Sequence, residues 1–182
     1  MQKPSRSMIR WRSPIPSPAD GWAQVWIDGA CATNPGPGGI GVVLCSGAAV
    51  MEIFHHVGMV ANSLRAQLMA IRCGLEECVM SRPTVVITDS TYCLGALDCE
   101  KARRGAMPVK NAELILAIRE LMRGFTRLEF RWKSRGDSEY VLMAHSLAHR
   151  GARLDGGKVW RAMPIEESEK MEQDLMAGGL WR

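Results

Sequence analysis

The order of the predicted strands and helices favours an α/β fold, in which a five-stranded mixed sheet has helices on both faces. The first three strands are joined by short connections, a Gly/Pro-rich loop at residues 29–38 and the tripeptide Ser46-Gly47-Ala48. Connections this short favour antiparallel pairing. Each of the last two strands follows a helical pattern, and right-handed crossovers of that kind make strands parallel. The expected sheet therefore has three antiparallel strands and then two parallel strands.

Apolar periodicity locates the individual elements. Period-two and continuous apolar runs predict strands over residues 22–28, 39–45, 49–57, 84–88 and 126–132. Helical spacing predicts helices over residues 63–78, 90–97, 111–122 and 138–150. Ser63 and Asn111 are residue types that cap helix N-termini, and Gly124 is a typical stop for the third helix.

Composition divides the chain of 182 residues into three parts. Residues 1–20 contain four prolines and carry a net charge of +3, so we expect a disordered basic N-terminal arm. Residues 21–152 contain every predicted strand and form the domain. Residues 153–182 are a C-terminal extension, in which the polar stretch 165–177 predicts one helix.

Charge, hydropathy and cysteine usage exclude several classes of protein. The net charge of +4 falls mostly in the arm, so charge alone says little about nucleic acid. No apolar run approaches the ~20 residues of a membrane span, and the N-terminus lacks the apolar core of a secretory signal, so no membrane association is expected. The six cysteines lack zinc-type spacing. We expect reduced thiols, an intracellular reducing compartment and a monomer.

Two aspartates mark the candidate site. Asp28 and Asp89 each end a predicted strand, and parallel neighbouring strands lie about 4.8 Å apart. Carboxyl ends of strands are where α/β sheets bind ligands, and paired carboxylates suit a divalent cation. Taken singly, Asp89 could instead cap the helix that follows it, and Asp28 could start a turn. Together with the glycine-rich loop, they favour a site.

Several further segments occur in a characteristic order over residues 22–152. They are Asp28 with Asn34-Pro35-Gly36, Arg65-Ala66-Gln67-Leu68, Gly74-Leu75-Glu76, Thr88-Asp89-Ser90, Pro108-Val109-Lys110-Asn111 and Ala144-His145-Ser146-Leu147-Ala148. In these segments the chain resembles the ribonuclease H family, type 1, and most of all its retroelement-derived branch. The resemblance implies a ribonuclease H-like fold and a two-metal endonuclease that cuts the RNA strand of RNA/DNA hybrids.

The resemblance places the four acids of the family at Asp28, Gln67, Asp89 and His145, so two of the four acids are replaced here. These four residues are the candidate catalytic and metal-binding set, for Mg²⁺ or Mn²⁺. With two carboxylates instead of four, we expect weakened metal binding. Imidazole is a poorer ligand for magnesium than for manganese, so manganese should be favoured. Arg135 stands where many members of the family have a mobile histidine.

The resemblance also implies contacts with the hybrid. Asn34 would reach the minor groove, Asn62 and Asn111 would help to hold a phosphate of the DNA strand, and Thr91 replaces a glutamine near the hybrid. The stretch 101–110 corresponds to a short basic handle. The candidate nucleic-acid contacts are Gly29, Asn34, Asn62, Thr91, Lys101, Arg103, Arg104, Asn111 and Arg135.

Two functions of different classes remain open. The first is a ribonuclease H-type endonuclease, weak or manganese-dependent, that acts on RNA/DNA hybrids either alone or within a replication or retroelement complex. The second is a degenerate domain that binds nucleic acid or a protein partner without cutting, which Gln67, His145 and Arg135 favour. A transposase or integrase fits less well, because those proteins lack the Asn-Pro-Gly loop.

Overall fold

The computed structural model describes residue 9 and residues 13–98, 110–153 and 157–162. The basic residues Lys101, Arg103 and Arg104, and the helix predicted over residues 165–177, lie outside these described residues. Within the described ranges, no helix has both the length and the hydropathy that a membrane crossing requires.

One mixed sheet forms the centre of the fold. Its strands are β1 (Ala23–Cys31), β2 (Gly36–Ser46), β3 (Ala49–Val60), β4 (Thr84–Thr88), β5 (Leu128–Trp132) and β6 (Gly157–Ala162). The spatial order is β5-β4-β1-β2-β3-β6. The pairs β1–β2 and β2–β3 are antiparallel, whereas β1–β4 and β4–β5 are parallel. The predicted five-stranded mixed sheet is confirmed, and β6 adds an antiparallel sixth strand to β3 that the sequence analysis did not anticipate.

In the described part of the chain, four α-helices cover the two faces of the sheet. They are α1 (Ser63–Glu76), α2 (Thr91–Leu97), α3 (Ala112–Met122) and α4 (Glu139–Ala152). Apolar residues of α1, α2 and α3 share one core with Val25 and Ile27 of β1. Apolar residues of α4 share the other core with Trp26, because successive residues of a strand point to opposite faces. The expectation of helices on both faces is therefore confirmed.

The first strand is longer than predicted. The apolar pattern predicts a strand that ends at Asp28, but β1 continues to Cys31, and Asp28 pairs with Gly41 in the middle of the β1–β2 ladder. The predicted loop of residues 29–38 is correspondingly shorter, because residues 29–31 belong to β1 and residues 36–38 belong to β2. Asp28 therefore lies in the interior of a strand.

Two glycines let helices approach the sheet directly. A Cβ atom on Gly29 would lie 2.1 Å from the backbone nitrogen of Gln67 in α1. A Cβ atom on Gly41 would lie 2.0 Å from the carbonyl oxygen of Ala144 in α4. Because neither glycine has a side chain, both helices pack with their backbones against the strands beside Asp28.

Part of the predicted N-terminal arm lies against the domain. Ile9 is buried and forms an isolated parallel bridge with Phe130 of β5. The carbonyl oxygen of Pro14 accepts a hydrogen bond from Arg131 Nε at 3.3 Å. That of Pro16 accepts one from Gln24 Nε2 at 2.8 Å. These contacts depart from the expectation of a disordered arm, because an apolar side chain and two backbone carbonyls find partners on the sheet.

Candidate active site

Asp28 is the centre of the candidate site and is 2% exposed. Its Oδ1 accepts hydrogen bonds from the backbone nitrogen of Gly29 at 2.8 Å and from Gln67 Nε2 at 3.3 Å. Its Oδ2 lies 2.6 Å from His145 Nδ1 and 3.8 Å from Arg135 Nη2. A buried carboxylate is stable only when paired and hydrogen-bonded, and these four contacts provide for both oxygens.

Asp89 directly follows β4 and reaches the same site. Its Oδ2 lies 3.0 Å from Arg135 Nη2, and its backbone oxygen accepts a hydrogen bond from Trp132 Nε1 at 3.0 Å. The alternative role of helix cap belongs to Ser90, whose side chain accepts a hydrogen bond from the Cys93 nitrogen. The parallel order of β1 and β4 thus brings the two aspartates to one guanidinium, at the place where the sequence predicts a shared divalent cation.

Gln67 faces Asp28 with its nitrogen end. The carboxylate oxygen can only accept a hydrogen bond, so the amide NH₂ must point towards it. The amide oxygen points instead towards Cys93 Sγ, 4.0 Å away. Burial raises the pKa of the Cys93 thiol to about 12, which keeps the proton on the sulfur. Gln67 therefore donates a hydrogen bond to Asp28, and its amide oxygen is directed away from the carboxylate.

His145 projects from α4 onto the buried aspartate. Because Asp28 Oδ2 can only accept, this contact requires a proton on Nδ1. The ring of His149, one turn further along α4, meets the His145 ring edge-on at 4.4 Å between centroids. Burial, and then the charge of His145, lower the pKa of His149. The lowered pKa favours the neutral form of His149.

The residues as arranged do not fit a pair of divalent cations. Among the residues that the structure describes, no group of three or more His, Cys, Asp and Glu side chains is placed to hold a metal ion. The Arg135 guanidinium lies between the carboxylates of Asp28 and Asp89, and Gln67 presents hydrogen atoms to Asp28. The residues of the predicted metal-binding set, Asp28, Gln67, Asp89 and His145, lie close together. Their polar atoms, however, are hydrogen-bonded to one another or paired with Arg135.

A second polar cluster joins α1 to α3. Asn62 is the N-cap of α1 and accepts a hydrogen bond from the Arg65 nitrogen at 3.2 Å. Arg65 Nη1 donates to Asn111 Oδ1 at 3.2 Å and to Glu113 Oε1 at 2.7 Å. The Asn111 amide nitrogen lies 3.3 Å from the hydroxyl of Tyr92. The predicted phosphate contacts Asn62 and Asn111 therefore lie on either side of one arginine.

Two expectations about this cluster need correction. Asn111 occupies the N-cap position of α3 with φ 60°, but its side chain makes no cap hydrogen bond. It bonds Arg65 and Tyr92 instead. Arg65 is not among the predicted contacts, although it begins the Arg-Ala-Gln-Leu segment. Its position one helical turn after Asn62, on the same face of the helix, could have indicated its place in this cluster.

The remaining predicted contacts fall into three groups. Asn34, in the connection between β1 and β2, and Thr91, the first residue of α2, are exposed to solvent. Gly29 lies beneath the backbone of α1, which gives it a packing role. Arg135 binds the two aspartates instead of facing solvent alone.

Comparison with known proteins identifies the family of the chain. The family model described as RNase H matches residues 22–152. The ribonuclease H of Bordetella bronchiseptica is 31% identical over 144 residues, which are 74% of this chain and 92% of that protein. The ribonuclease H of Aromatoleum aromaticum is 36% identical over 141 residues, 70% of this chain and 88% of that protein.

Solved structures show the same architecture. The crystal structure of RNase H1 from the halophilic archaeon Halobacterium salinarum is similar with a TM-score of 0.57 and 25% identity, and covers 73% of this chain and 98% of that chain. LC11-RNase H1 in complex with an RNA/DNA hybrid has a TM-score of 0.57 at 22% identity, with 72% and 96% of the two chains covered. On its sequence match and its fold, the chain belongs to the ribonuclease H family.

Proposed function

We propose that this chain is an endoribonuclease that hydrolyses the RNA strand of RNA/DNA hybrids. The observation that carries the proposal is the convergence of Asp28 and Asp89 on one guanidinium nitrogen, at 3.8 and 3.0 Å. Clustered carboxylates are the groups that hold the metal ions in two-metal phosphodiester hydrolysis. The relatives with 31% and 36% identity are named ribonuclease H, which supports the same activity.

The cofactor proposal is Mg²⁺ or Mn²⁺, bound weakly. Members of the family generally use divalent metal ions. Loss of one carboxylate about 4 Å from a cation forfeits up to ~4 kcal/mol at an effective dielectric constant near 20, roughly a thousandfold in binding. Two of the four acids are replaced here, so we expect weak sites, with manganese preferred over magnesium. Two tight magnesium sites in a calorimetric titration of the free protein would refute this.

The hybrid is the proposed partner. Arg65, between Asn62 and Asn111, supplies the positive charge that a phosphate of the DNA strand needs. Asn34 is exposed on the β1–β2 connection, so its side chain is accessible to a bound hybrid. There it would contact the minor groove, in which 2′-hydroxyls distinguish RNA from DNA. We propose that the chain acts as a monomer.

A specific observation favours the second candidate function, a domain that binds hybrids without cutting them. Arg135 neutralises one of the two carboxylate charges, and Gln67 adds none, so the site carries a net charge of −1 with His145 neutral. A site with so little negative charge holds cations poorly.

Cleavage of a labelled RNA/DNA hybrid separates the two functions. The assay compares the natural chain, Gln67→Glu and Asp89→Asn, in magnesium and separately in manganese, with Asp20→Asn as a distant Asp-to-Asn control. The endonuclease is supported when the natural chain cuts, Asp20→Asn cuts equally, and Asp89→Asn binds the hybrid but does not cut. Cutting by Gln67→Glu alone identifies a competent scaffold silenced at one position. Binding without cutting in every variant supports the binding domain.

A further inference from the structure

One nitrogen of Arg135 contacts both aspartates of the candidate site. Nη2 lies 3.0 Å from Asp89 Oδ2 and 3.8 Å from Asp28 Oδ2. A positive group between two carboxylates is the electrostatic equivalent of a bound cation. The guanidinium therefore occupies the space in which a metal ion shared by Asp28 and Asp89 would have to lie.

We propose that Arg135 is an internal counter-ion that competes with divalent cations for Asp28 and Asp89. Metal binding then requires the guanidinium to leave, and a phosphate of the nucleic acid offers it an alternative anionic partner. The proposal goes beyond the cleavage reaction, because it concerns cation binding by the free protein and holds whether or not the chain cuts RNA.

The burial of the three side chains shows that the counter-ion can be displaced. The Arg135 side chain is 47% exposed, whereas those of Asp28 and Asp89 are 3% and 17% exposed. A half-exposed arginine is already partly hydrated, so moving its guanidinium out of the site requires no large change in its hydration. The buried carboxylates gain most from a cation, because they are poorly hydrated themselves. The contact is thus a reversible occupation of the site.

The backbone around Arg135 supports movement of this kind. Arg135 begins a three-residue 3-10 helix, Arg135–Asp137, that connects β5 to α4 and contains no buried residue. The N-cap residue Ser134 makes no side-chain cap hydrogen bond, and Gly136 has open space around its Cβ position. Because no residue of this 3-10 helix is buried, the Arg135 side chain can change its position without opening the core.

Competition with a cation predicts a linkage between metal and nucleic acid. Asp28, Asp89 and Arg135 together carry a net charge of −1. When a phosphate draws Arg135 away, the two carboxylates are left with a net charge of −2. By reciprocity, a bound metal must also strengthen binding of the phosphate by the same factor. Arg135 can pair either with the carboxylates of the site or with a phosphate of the hybrid, but not with both at once. Hybrid and cation are therefore expected to bind cooperatively.

The first test measures Mn²⁺ binding by electron paramagnetic resonance, without nucleic acid. The variants are Arg135→Gln, which removes the charge, and Arg135→Lys, which keeps it. Arg123→Gln is the matched control, because Arg123 is an exposed arginine that pairs with Glu120 near the end of α3. Release of two weak ion-pair contacts predicts that Arg135→Gln binds Mn²⁺ about tenfold more tightly than the natural chain. Arg135→Lys and Arg123→Gln should stay close to the natural chain.

Equal Mn²⁺ affinity of Arg135→Gln and the natural chain overturns the proposal, as does an equal gain in Arg123→Gln, which would reflect net charge alone. A second measurement needs no variant. A non-cleavable hybrid with a 2′-O-methyl RNA strand should raise the Mn²⁺ affinity of the natural chain, and an unchanged affinity counts against the linkage. Failure of hybrid cleavage leaves both measurements intact, so the proposed function and this inference fail separately.

Discussion

Gln67 donates a hydrogen bond to Asp28 across 3.3 Å, at the position where the ribonuclease H family has a second carboxylate. Gln67→Glu places a second carboxylate beside Asp28, so we expect a lower melting temperature when a chelator removes divalent cations. Mn²⁺ should restore the melting temperature, because the carboxylates at positions 28, 67 and 89 can then share the cation.

Thermal melts with and without Mn²⁺ test this prediction. Gln24→Glu is the matched control, since Gln24 and Gln67 are both 8% exposed but Gln24 bonds Pro16 and Trp26. A buried charge should destabilise both variants, and Mn²⁺ should rescue only Gln67→Glu. Equal responses to Mn²⁺ would contradict the assignment of position 67 to a cation site.

The close approach of α4 to β2 predicts a large penalty for a single methyl group. A Cβ atom in Gly41→Ala would meet the Ala144 carbonyl oxygen and the Ala148 nitrogen at 2.0 and 2.5 Å, so α4 must shift. Overpacking of this kind costs about 1–3 kcal/mol in the free energy of unfolding. Urea denaturation measures it, with Gly136→Ala, where the added atom meets nothing within 4 Å, as the neutral control. Similar midpoints for the two variants would refute the packing argument.

Arg65 is expected to contribute one phosphate contact. Arg65→Ala should weaken hybrid binding and lower the salt dependence of the affinity by about one counterion. Fluorescence anisotropy over a range of salt concentrations measures both. Arg72→Ala, two turns further along α1 and paired with Glu76, should leave the slope unchanged. A slope that is equal in Arg65→Ala and the natural chain would remove Arg65 from the interface.

The Arg65–Glu113 pair predicts a pH dependence of stability. The hydrogen bond from Arg65 is the largest cause that lowers the pKa of Glu113. A carboxylate whose pKa is lowered on folding stabilises the fold above its unfolded pKa, and that stabilisation disappears as the pH falls through the folded pKa. Glu113→Gln should therefore be less stable than the natural chain at about pH 7 and equal to it at about pH 2. A difference that does not vary with pH in chemical denaturation would contradict this.

Cys93 should resist alkylation in the folded protein. Burial raises its pKa to about 12, and the thiolate is the reactive form, so only about one molecule in ten thousand is reactive at about pH 8. Iodoacetamide labelling followed by peptide mass spectrometry should show Cys31, which is partly exposed, modified before Cys93. Labelling of both at one rate in the folded state would show that the Gln67 environment is open to solvent.

The convergence of Asp28 and Asp89 could be predicted because it depends only on strand order. The connections between elements determine which strands are parallel neighbours, and parallel neighbours present their carboxyl ends at the same edge. The extension of β1 to Cys31 could not be predicted in the same way. Its last three residues include Gly29 and Ala30, which have little intrinsic strand preference, and the ladder with β2 determines their conformation.

The orientation of side chains was the least predictable part. Whether Gln67 offers nitrogen or oxygen to Asp28, and whether Asn111 caps α3 or bonds Arg65, depends on partners from distant segments. The contact of Arg135 with both aspartates likewise joins three separate elements. Strand β6 was missed because its pairing with β3 is long-range, and residues 157–162 show no alternation of apolar and polar residues that continues for long enough to indicate a strand.

The outer edges of β3 and β5 both pair with chain from outside residues 22–152. Strand β6 pairs with β3 on one side, and Ile9 bridges to β5 on the other. Uncovered strand edges are templates on which further chains assemble. A fragment cut to the family match would keep Asp28 and Asp89 but expose both edges, and it would be prone to aggregate. Strand β6 and Ile9, which lie outside the candidate active site, therefore contribute to keeping the protein in solution.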